Sequence, residues 1–426
     1  MQKTLVVKEF VDLIGGDISD NLQINDGDKI LVTTPPGCWG PMITPSIKSG
    51  HEVSKPVKIN GAEVGDSIAL FVEKISVKSN YASSGTGKRI SGRYEQDPTV
   101  NAICPTCNIR NPHTIIIKTG DDGVVCKECG NPIIPQTLSN GYTVMYDSNK
   151  TIGVSVPEQV AEIIANKVLN GEELPPDGSK QHLASILAKS DVSGLITRVR
   201  PMIGNIGCAP KKSIPSSRNG GDMFSSLISN KDFSDVEKED LTDAHMDVNS
   251  VCEGSIVISP VKIDGGGIYI GDVHSIQGNG ELAKHTIDVT AEVLVRVKII
   301  KGLVLDGPII IPPEQEIDYR FRPFTEKEYE LANILSKPFN FSINEKYYPL
   351  QFVGSGSDLN EGIENGIDRI AKITGLKREE IMNRGTISGE VEIGRTSGLV
   401  YLTVMLPESI LEKLGLLELL VKQYKK

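Results

Sequence analysis

The sequence predicts a mainly β protein with an α+β C-terminal part. Apolar and polar residues alternate over long stretches, and 42 glycines and 24 prolines supply turn material. Amphipathic stripes at helical spacing are few, and three of the four fall after Arg322.

The clearest strand runs through Ile287, Val289, Ala291, Val293, Val295, Val297 and Ile299, with Asp288, Thr290, Glu292, Arg296 and Lys298 interleaved. Side chains two apart share one face of a strand, so this is a half-buried strand. Lys29 to Thr33, Ser67 to Val72 and Ser255 to Ile258 read as further strands. Pro157 to Leu169 carries Val160, Ile163, Ile164 and Val168 as a helical stripe. Thr325-Glu326-Lys327-Glu328 is a capping box that opens a second helix. Asp358 to Ile373 sets Leu359, Ile363, Ile367 and Ile370 on one face and meets a stop at Gly375. A last helix starts near Pro407, with Lys425 and Lys426 at its end, where the helix dipole favours cations. The polar, Gly-rich stretch 79–97, the Pro/Gly-rich 174–181 and the charged 229–243 read as loops or insertions. The expected parts are 1–75 with 141–200, an inserted 76–140, a β-rich 201–322, and 323–426.

Hydrophobic residues at 39% give material for a core and exclude wholesale disorder. Lys plus Arg number 45 against 55 Asp plus Glu, a net charge of −10 that disfavours nucleic acid or anionic membrane as partner. The N-terminal apolar run is too short for a signal-peptide core, and Ile309-Ile310-Ile311 is far below the ~20 residues of a membrane helix. The expectation is a cytoplasmic protein with reduced thiols.

Cys104-Pro105-Thr106-Cys107 and Cys126-Lys127-Glu128-Cys129 are two CxxC knuckles separated by 18 residues. Four thiolates at that spacing make a tetrahedral Zn²⁺ site, flanked here by two short strand-like runs, Thr114 to Lys118 and Gly123 to Val125. A four-thiolate shell leaves no open position, so the zinc is structural. The ribbon's three basic groups (Arg110, Lys118, Lys127) balance three acids (Asp121, Asp122, Glu128), which leaves no footprint for nucleic acid. Cys38, Cys208 and Cys252 are scattered.

Gly85-Thr86-Gly87-Lys88 fails as a phosphate loop, because Ala82 and Arg89 stand where Gly and Ser or Thr belong. Ser83-Ser84-Gly85 reads as loop, and Gly354 to Asp358 as a turn with Asp358 as N-cap. One dense polar cluster remains: Gly271-Asp272-Val273-His274-Ser275-Ile276-Gln277-Gly278-Asn279-Gly280-Glu281. In an extended segment Asp272 and His274 point the same way, close enough to bind one metal or polarise one water. Gly278 and Gly280 permit a turn that brings Gln277 or Glu281 back over them. By itself the cluster is either such a site or a hydrogen-bonded β-turn.

The cluster resembles the G-D-x-H-A-x-Q-G-D-G-E signature of the acetamidase/formamidase family. Four further stretches resemble the family in order: Gly50-His51 through Gly65-Asp66, Pro201 through Pro210, Arg218 to Gly221 with His245-Met246-Asp247 as a split G-G-N-M-D, and the tail from Asp358 through Pro407. The resemblance implies hydrolysis of short aliphatic amides to a carboxylate and ammonia by a homo-oligomer, on a β-sandwich and barrel-like architecture. It places His51, Asp247, Asp272, His274, Gln277 and Glu281 in one site. Asp272, His274 and His51 or Asp247 would hold a second divalent metal, Glu281 would serve as general base, and Gln277 would steady the oxyanion. Departures are Asn279 for an acid, Asp288 for a Glu, the insertion after Gly221, and His245 for an Asn. His245 is read as an ordinary polar substitution, with an extra ligand as the alternative. A second reading is a non-catalytic binding or assembly protein on this fold, marked by an Asp272/His274 pair that fails to converge with Glu281.

Overall fold

The computed structural model describes residues 2–37, 51–95, 102–180 and 188–424, so Cys38, Trp39, Gly50, Lys425 and Lys426 lie outside the described residues. β Structure dominates, with helices Glu158–Leu169, Glu326–Ser336, Leu359–Thr374 and Arg378–Ser388 set against it. A nine-stranded sheet runs in the order Thr4–Val7, Lys29–Thr34, Ala291–Ile300, Ser67–Val77, Ile256–Pro260, Ile309–Ile311, Tyr347–Ser355, Leu399–Pro407 and Gly389–Arg395. Its first pair is parallel and the rest antiparallel. Thr4–Val7 and Gly389–Arg395 remain as edges, so no barrel closes among the described residues. One sheet therefore runs through the N-terminal, central and C-terminal parts of the chain.

The alternation of Val293, Val295 and Val297 is realised, and all three are fully buried. Each such side chain contributes about 1.5–3 kcal/mol relative to exposure. The regular strand starts at Ala291, later than expected. The preceding residues leave the large sheet for the strand Tyr269–His274: the Val289 N–H donates to the Val273 carbonyl at 3.0 Å, and Asp288 bridges to His274. Thr325 caps its helix through Glu328 as expected. The Asp358 carboxylate accepts from the Glu361 N–H at 3.0 Å, and Gly375 ends that helix in the left-handed region at φ +73°.

Two expectations fail. The stretch 79–97 holds a strand, Tyr81–Arg89, paired antiparallel with Gln136–Tyr146. Its polar composition reflects close sheet contact: the Ser83 and Thr143 hydroxyls share a buried hydrogen bond at 2.8 Å, and a Cβ at Gly85 would lie 2.3 Å from the Asn140 carbonyl oxygen. The last helix is two, Glu408–Lys413 and Leu417–Tyr424, broken where Gly415 turns at φ +69°. The charged 229–243 run contains short 3-10 turns at Lys231–Phe233 and Lys238–Asp240.

A separate four-stranded sheet carries the polar cluster, in the order Met202–Gly207, Tyr269–His274, Val53–Ser54 and Phe10–Val11. Its apolar faces join the main core through Ile203, Ile206, Ile270 and Val273. The ribbon strands Thr114–Ile116 and Val124–Cys126 pair antiparallel.

Candidate active site

Asp272 takes a left-handed conformation, φ +57°, in the middle of its strand. Asp247 (φ +51°) and Glu281 (φ +40°) are left-handed too, and three acids held that way in one region mark a place where surroundings override local preference. Opposite Asp272 lies Gly204, where a Cβ would come within 2.5 Å of Asp247 Oδ1 and 2.8 Å of Asp272 Oδ2. A Cβ at Gly37 would lie 1.9 Å from Asp272 Oδ1. Both carboxylates therefore need glycine beside them.

Asp272 forms the hub. Its Oδ2 lies 3.2 Å from His51 Nδ1 and 3.3 Å from His245 Nε2, and its Oδ1 lies 3.2 Å from His274 Nε2. His245 Nε2 also lies 3.3 Å from Asp247 Oδ2, and His274 Nε2 lies 3.1 Å from Asp288 Oδ1. The His51 and His245 rings meet edge to face with centroids 5.0 Å apart. All of these groups are buried.

The far ring nitrogens are tied back. His245 Nδ1 donates to the Ser217 carbonyl at 2.8 Å, and His274 Nδ1 donates to Gln277 Oε1 at 2.8 Å. Gln277 Nε2 in turn donates to the Asp247 carbonyl at 2.5 Å and to the Gly394 carbonyl at 3.2 Å. With its Nδ1–H engaged, a neutral His274 turns the lone pair of Nε2 toward two carboxylate oxygens. A positive charge, a proton or a cation, must lie there. Without a cation the proton supplies it: burial opposes the charge on His274, but Asp272 and Asp288 outweigh it and hold the imidazole well above its ordinary range. His245 behaves alike, with burial overcome by Asp247 and Asp272, and rises to about 9. His51 stays neutral, because burial outweighs the pull of Asp272 and lowers it to about 4. Despite burial, the same imidazoles hold Asp272 well below the carboxylate range.

Four buried atoms, Asp272 Oδ1 and Oδ2, Asp247 Oδ1 and His274 Nε2, have no well-formed hydrogen bond among the described residues. Orphaned carboxylate and imidazole atoms facing one another are what a divalent cation satisfies. Two triads, His51/His245/Asp272 and Asp247/Asp272/His274, have ligand atoms within 4.8 Å of one another and share Asp272. The residues fit a metal. Glu281 is buried within electrostatic reach of Asp247, His274, Arg395 and Asp272, and burial with the Asp247 charge pushes its carboxyl up to about 8. Asp272 and His274 face each other, Oδ1 to Nε2 at 3.2 Å.

His245, read from the sequence as an ordinary polar substitution with an extra ligand as the alternative, lies in the centre, its Nε2 3.3 Å from both Asp247 Oδ2 and Asp272 Oδ2. Its spacing two residues before Asp247 was the available signal, the same one that paired Asp272 with His274. Asp288 faces His274, a role the alternation of its strand concealed. Asn279 instead is exposed, donating to Glu392 Oε1 at 3.0 Å away from the centre. Arg395, Asp222 and the half-buried His285 had no local signal. The second cluster, Cys104, Cys107, Cys126 and Cys129, gathers four thiols that could hold a metal, with Cys104 Sγ 3.4 Å from Cys129 Sγ. Asn131 Nδ2 donates to Cys129 Sγ at 3.4 Å and draws that thiol down to about 6.

A mainly antiparallel β scaffold surrounds a buried carboxylate–imidazole centre whose residues could hold a metal. The chain belongs to the Acetamidase/Formamidase family, whose pattern matches residues 37–240 and 236–329, and it is an amidohydrolase. Its fold is similar to a recombinant predicted acetamidase/formamidase of Thermoanaerobacter tengcongensis, with TM-score 0.53, 18% identity and 98% and 99% of the two chains covered. An acetamidase from Yersinia enterocolitica gives 0.52 at 17% identity over 96% and 93% of the chains. One from Bacillus halodurans gives 0.52 at 14% over 97% and 99%. No curated protein sequence matches significantly. No described helix is long and apolar enough to cross a membrane.

Proposed function

We propose that the protein hydrolyses short aliphatic amides of the formamide or acetamide type to a carboxylate and ammonia at the Asp272/His274 centre. The observation that carries this reading is Asp272, buried with both oxygens lacking a well-formed hydrogen bond and each turned toward histidine nitrogen. Asp272, His274, His51, His245 and Asp247 would hold a divalent cation. When bound, such an ion supplies the charge that acidifies a water and polarises a carbonyl. Glu281 takes a proton from the attacking water as the new C–O bond forms, then returns it to the nitrogen as the C–N bond breaks and ammonia leaves. A carboxyl raised to about 8 exchanges protons near neutrality, which suits both steps. Gln277 has both amide hydrogens engaged by backbone carbonyls, so in this reading it fixes the His274 ring and does not steady the oxyanion. Buried Cys208, whose thiol burial pushes up to about 12, is a core residue and no nucleophile. The four-cysteine cluster holds a structural Zn²⁺. A cytoplasmic homo-oligomer belongs to the same proposal and rests on the family resemblance; light scattering reads the oligomer. The test is ammonia release from formamide, acetamide and propionamide by metal-analysed wild type and Asp272→Asn. Release by wild type alone supports the reading. Its absence from every amide under varied divalent ions returns the protein to a binding role on this fold.

A further inference from the structure

A buried ion pair lies against the centre and takes no part in the chemistry above. Arg395 ends the strand Gly389–Arg395, beyond the family-matched residues, and Asp222 follows Gly221 at the start of the segment that splits the Gly-Gly-Asn-Met-Asp pattern. Their side chains are 3% and 0% exposed. Arg395 Nε donates to Asp222 Oδ2 at 2.7 Å and Nη2 to Oδ1 at 2.9 Å, a bidentate fork that fixes the guanidinium plane. From the other edge Nη1 donates to Asp247 Oδ2, and Nη2 also donates to the His245 carbonyl at 2.6 Å. One rigid group thus grips the side chain of Asp247 and the backbone of His245, leaving Asp247 Oδ1 and His245 Nε2 toward the centre. The neighbouring chain is shaped around it: a Cβ at Gly220 would lie 2.7 Å from Nη2 and 2.9 Å from Asp222 Oδ1. The same strand end docks on the signature loop, with the Gly280 N–H donating to the Ile393 carbonyl at 2.8 Å and the Thr396 N–H to the Gly280 carbonyl at 3.0 Å.

We infer that Asp222 and Arg395 are a positioning pair that holds Asp247 and His245 in the arrangement that receives a divalent cation. The inference rests on the reading of the centre proposed above. Asp222 has a distinct task within the pair. An Arg395 without it would be balanced by Asp247 alone, and would take up the negative charge that this carboxylate offers an incoming cation.

Charge and positioning predict opposite signs for one substitution, which makes the test decisive. Removing the cation in Arg395→Met should tighten metal binding if Arg395 acts only as a nearby charge. It should weaken binding if Arg395 acts by holding the ligands. The experiment titrates Co²⁺ into full-length, metal-stripped protein with the cysteine site filled by zinc, following cobalt absorbance and heat, with melting temperature and ammonia release from acetamide in parallel. Arg395→Met is expected to weaken Co²⁺ binding at the centre by about 10–100-fold and to lower kcat by a similar factor with KM little changed. Arg395→Lys keeps the charge but loses the fork, so it remains weakened by about tenfold. Asp222→Asn weakens binding as well. Unchanged or tighter Co²⁺ binding in Arg395→Met, with or without a lower melting temperature, overturns the inference. If that variant does not fold, unchanged binding in both Arg395→Lys and Asp222→Asn overturns it. A wild type that binds Co²⁺ but releases no ammonia, with weakened variants, removes the amide reading and leaves the pair standing. A wild type that binds no Co²⁺ at the centre overturns both.

Discussion

The cysteine cluster and the carboxylate–imidazole centre gather ligating groups in opposite ways. The four thiols come from a stretch of 26 residues, Cys104 to Cys129, on two turns joined by a short hairpin. Cys107 and Cys129 are only half-buried. The centre draws His51, His245, Asp247, Asp272, His274 and Asp288 from segments far apart in the chain, all of them buried. Its side chains reach their places through strand register, left-handed acids and tied-back ring nitrogens. A local cluster can be loaded and emptied as one turn-sized unit, whereas the centre exists only if several layers of the fold are in place.

The largest effect should follow from the hub. Asp272→Asn is expected to reduce ammonia release by about 10⁴-fold and to leave metal only at the cysteines, read by elemental analysis on the same sample. Residual turnover above a hundredth of wild type would break the contrast, because the centre would then not depend on its shared carboxylate. Next comes Glu281→Gln, which should cost about 10²–10³-fold in kcat with little change in KM. An equal fall in substrate affinity and an intact kcat would move Glu281 from proton carrier to substrate contact.

The ribbon should respond differently. Cys126→Ser is expected to release that metal and to loosen residues 102–135 in hydrogen exchange, while kcat falls by less than about tenfold. Loss of the centre's metal in this variant would mean that the two regions are coupled.

The smallest effect is a pH dependence in metal-stripped protein. Glu281 titrates near 8 when folded against 4.5 ordinarily, so the folded state holds its proton across that window. Its contribution to stability is full below about 4.5 and is lost as pH rises through about 8. Melting temperature of wild type minus that of Glu281→Gln should therefore decline from pH 5 to pH 8.5. A flat difference would place Glu281 in contact with solvent.

Much of this was legible in the chain. The two CxxC knuckles announced the ribbon because thiolate spacing is a local property. The alternation around Val293 announced a half-buried strand, and Asp358 with Gly375 marked both ends of a helix. Other readings failed where a partner strand supplied what local composition lacked. Tyr81–Arg89 reads as a polar loop until Gln136–Tyr146 accepts its hydrogen bonds and Gly85 admits the close approach. His245 reads as an ordinary polar substitution, with an extra ligand as the alternative, because a lone histidine is more often satisfied than metal-bound, and nothing nearby in sequence, apart from Asp247 two residues on, shows Asp272 facing it.

By itself the sequence determined the β-rich architecture and the two cysteine knuckles, and it set Asp272 and His274 two residues apart, because each rests on periodicity or spacing within a short segment. Only the tertiary structure decided that Asp288 faces His274 where its strand crosses to a second sheet. It alone decided that Arg395 and Asp222 meet over Asp247 from segments 173 residues apart. The physical reason is that a buried charge takes its partner from whatever the fold packs against it, and that choice is made by register and layer contacts which no local pattern encodes.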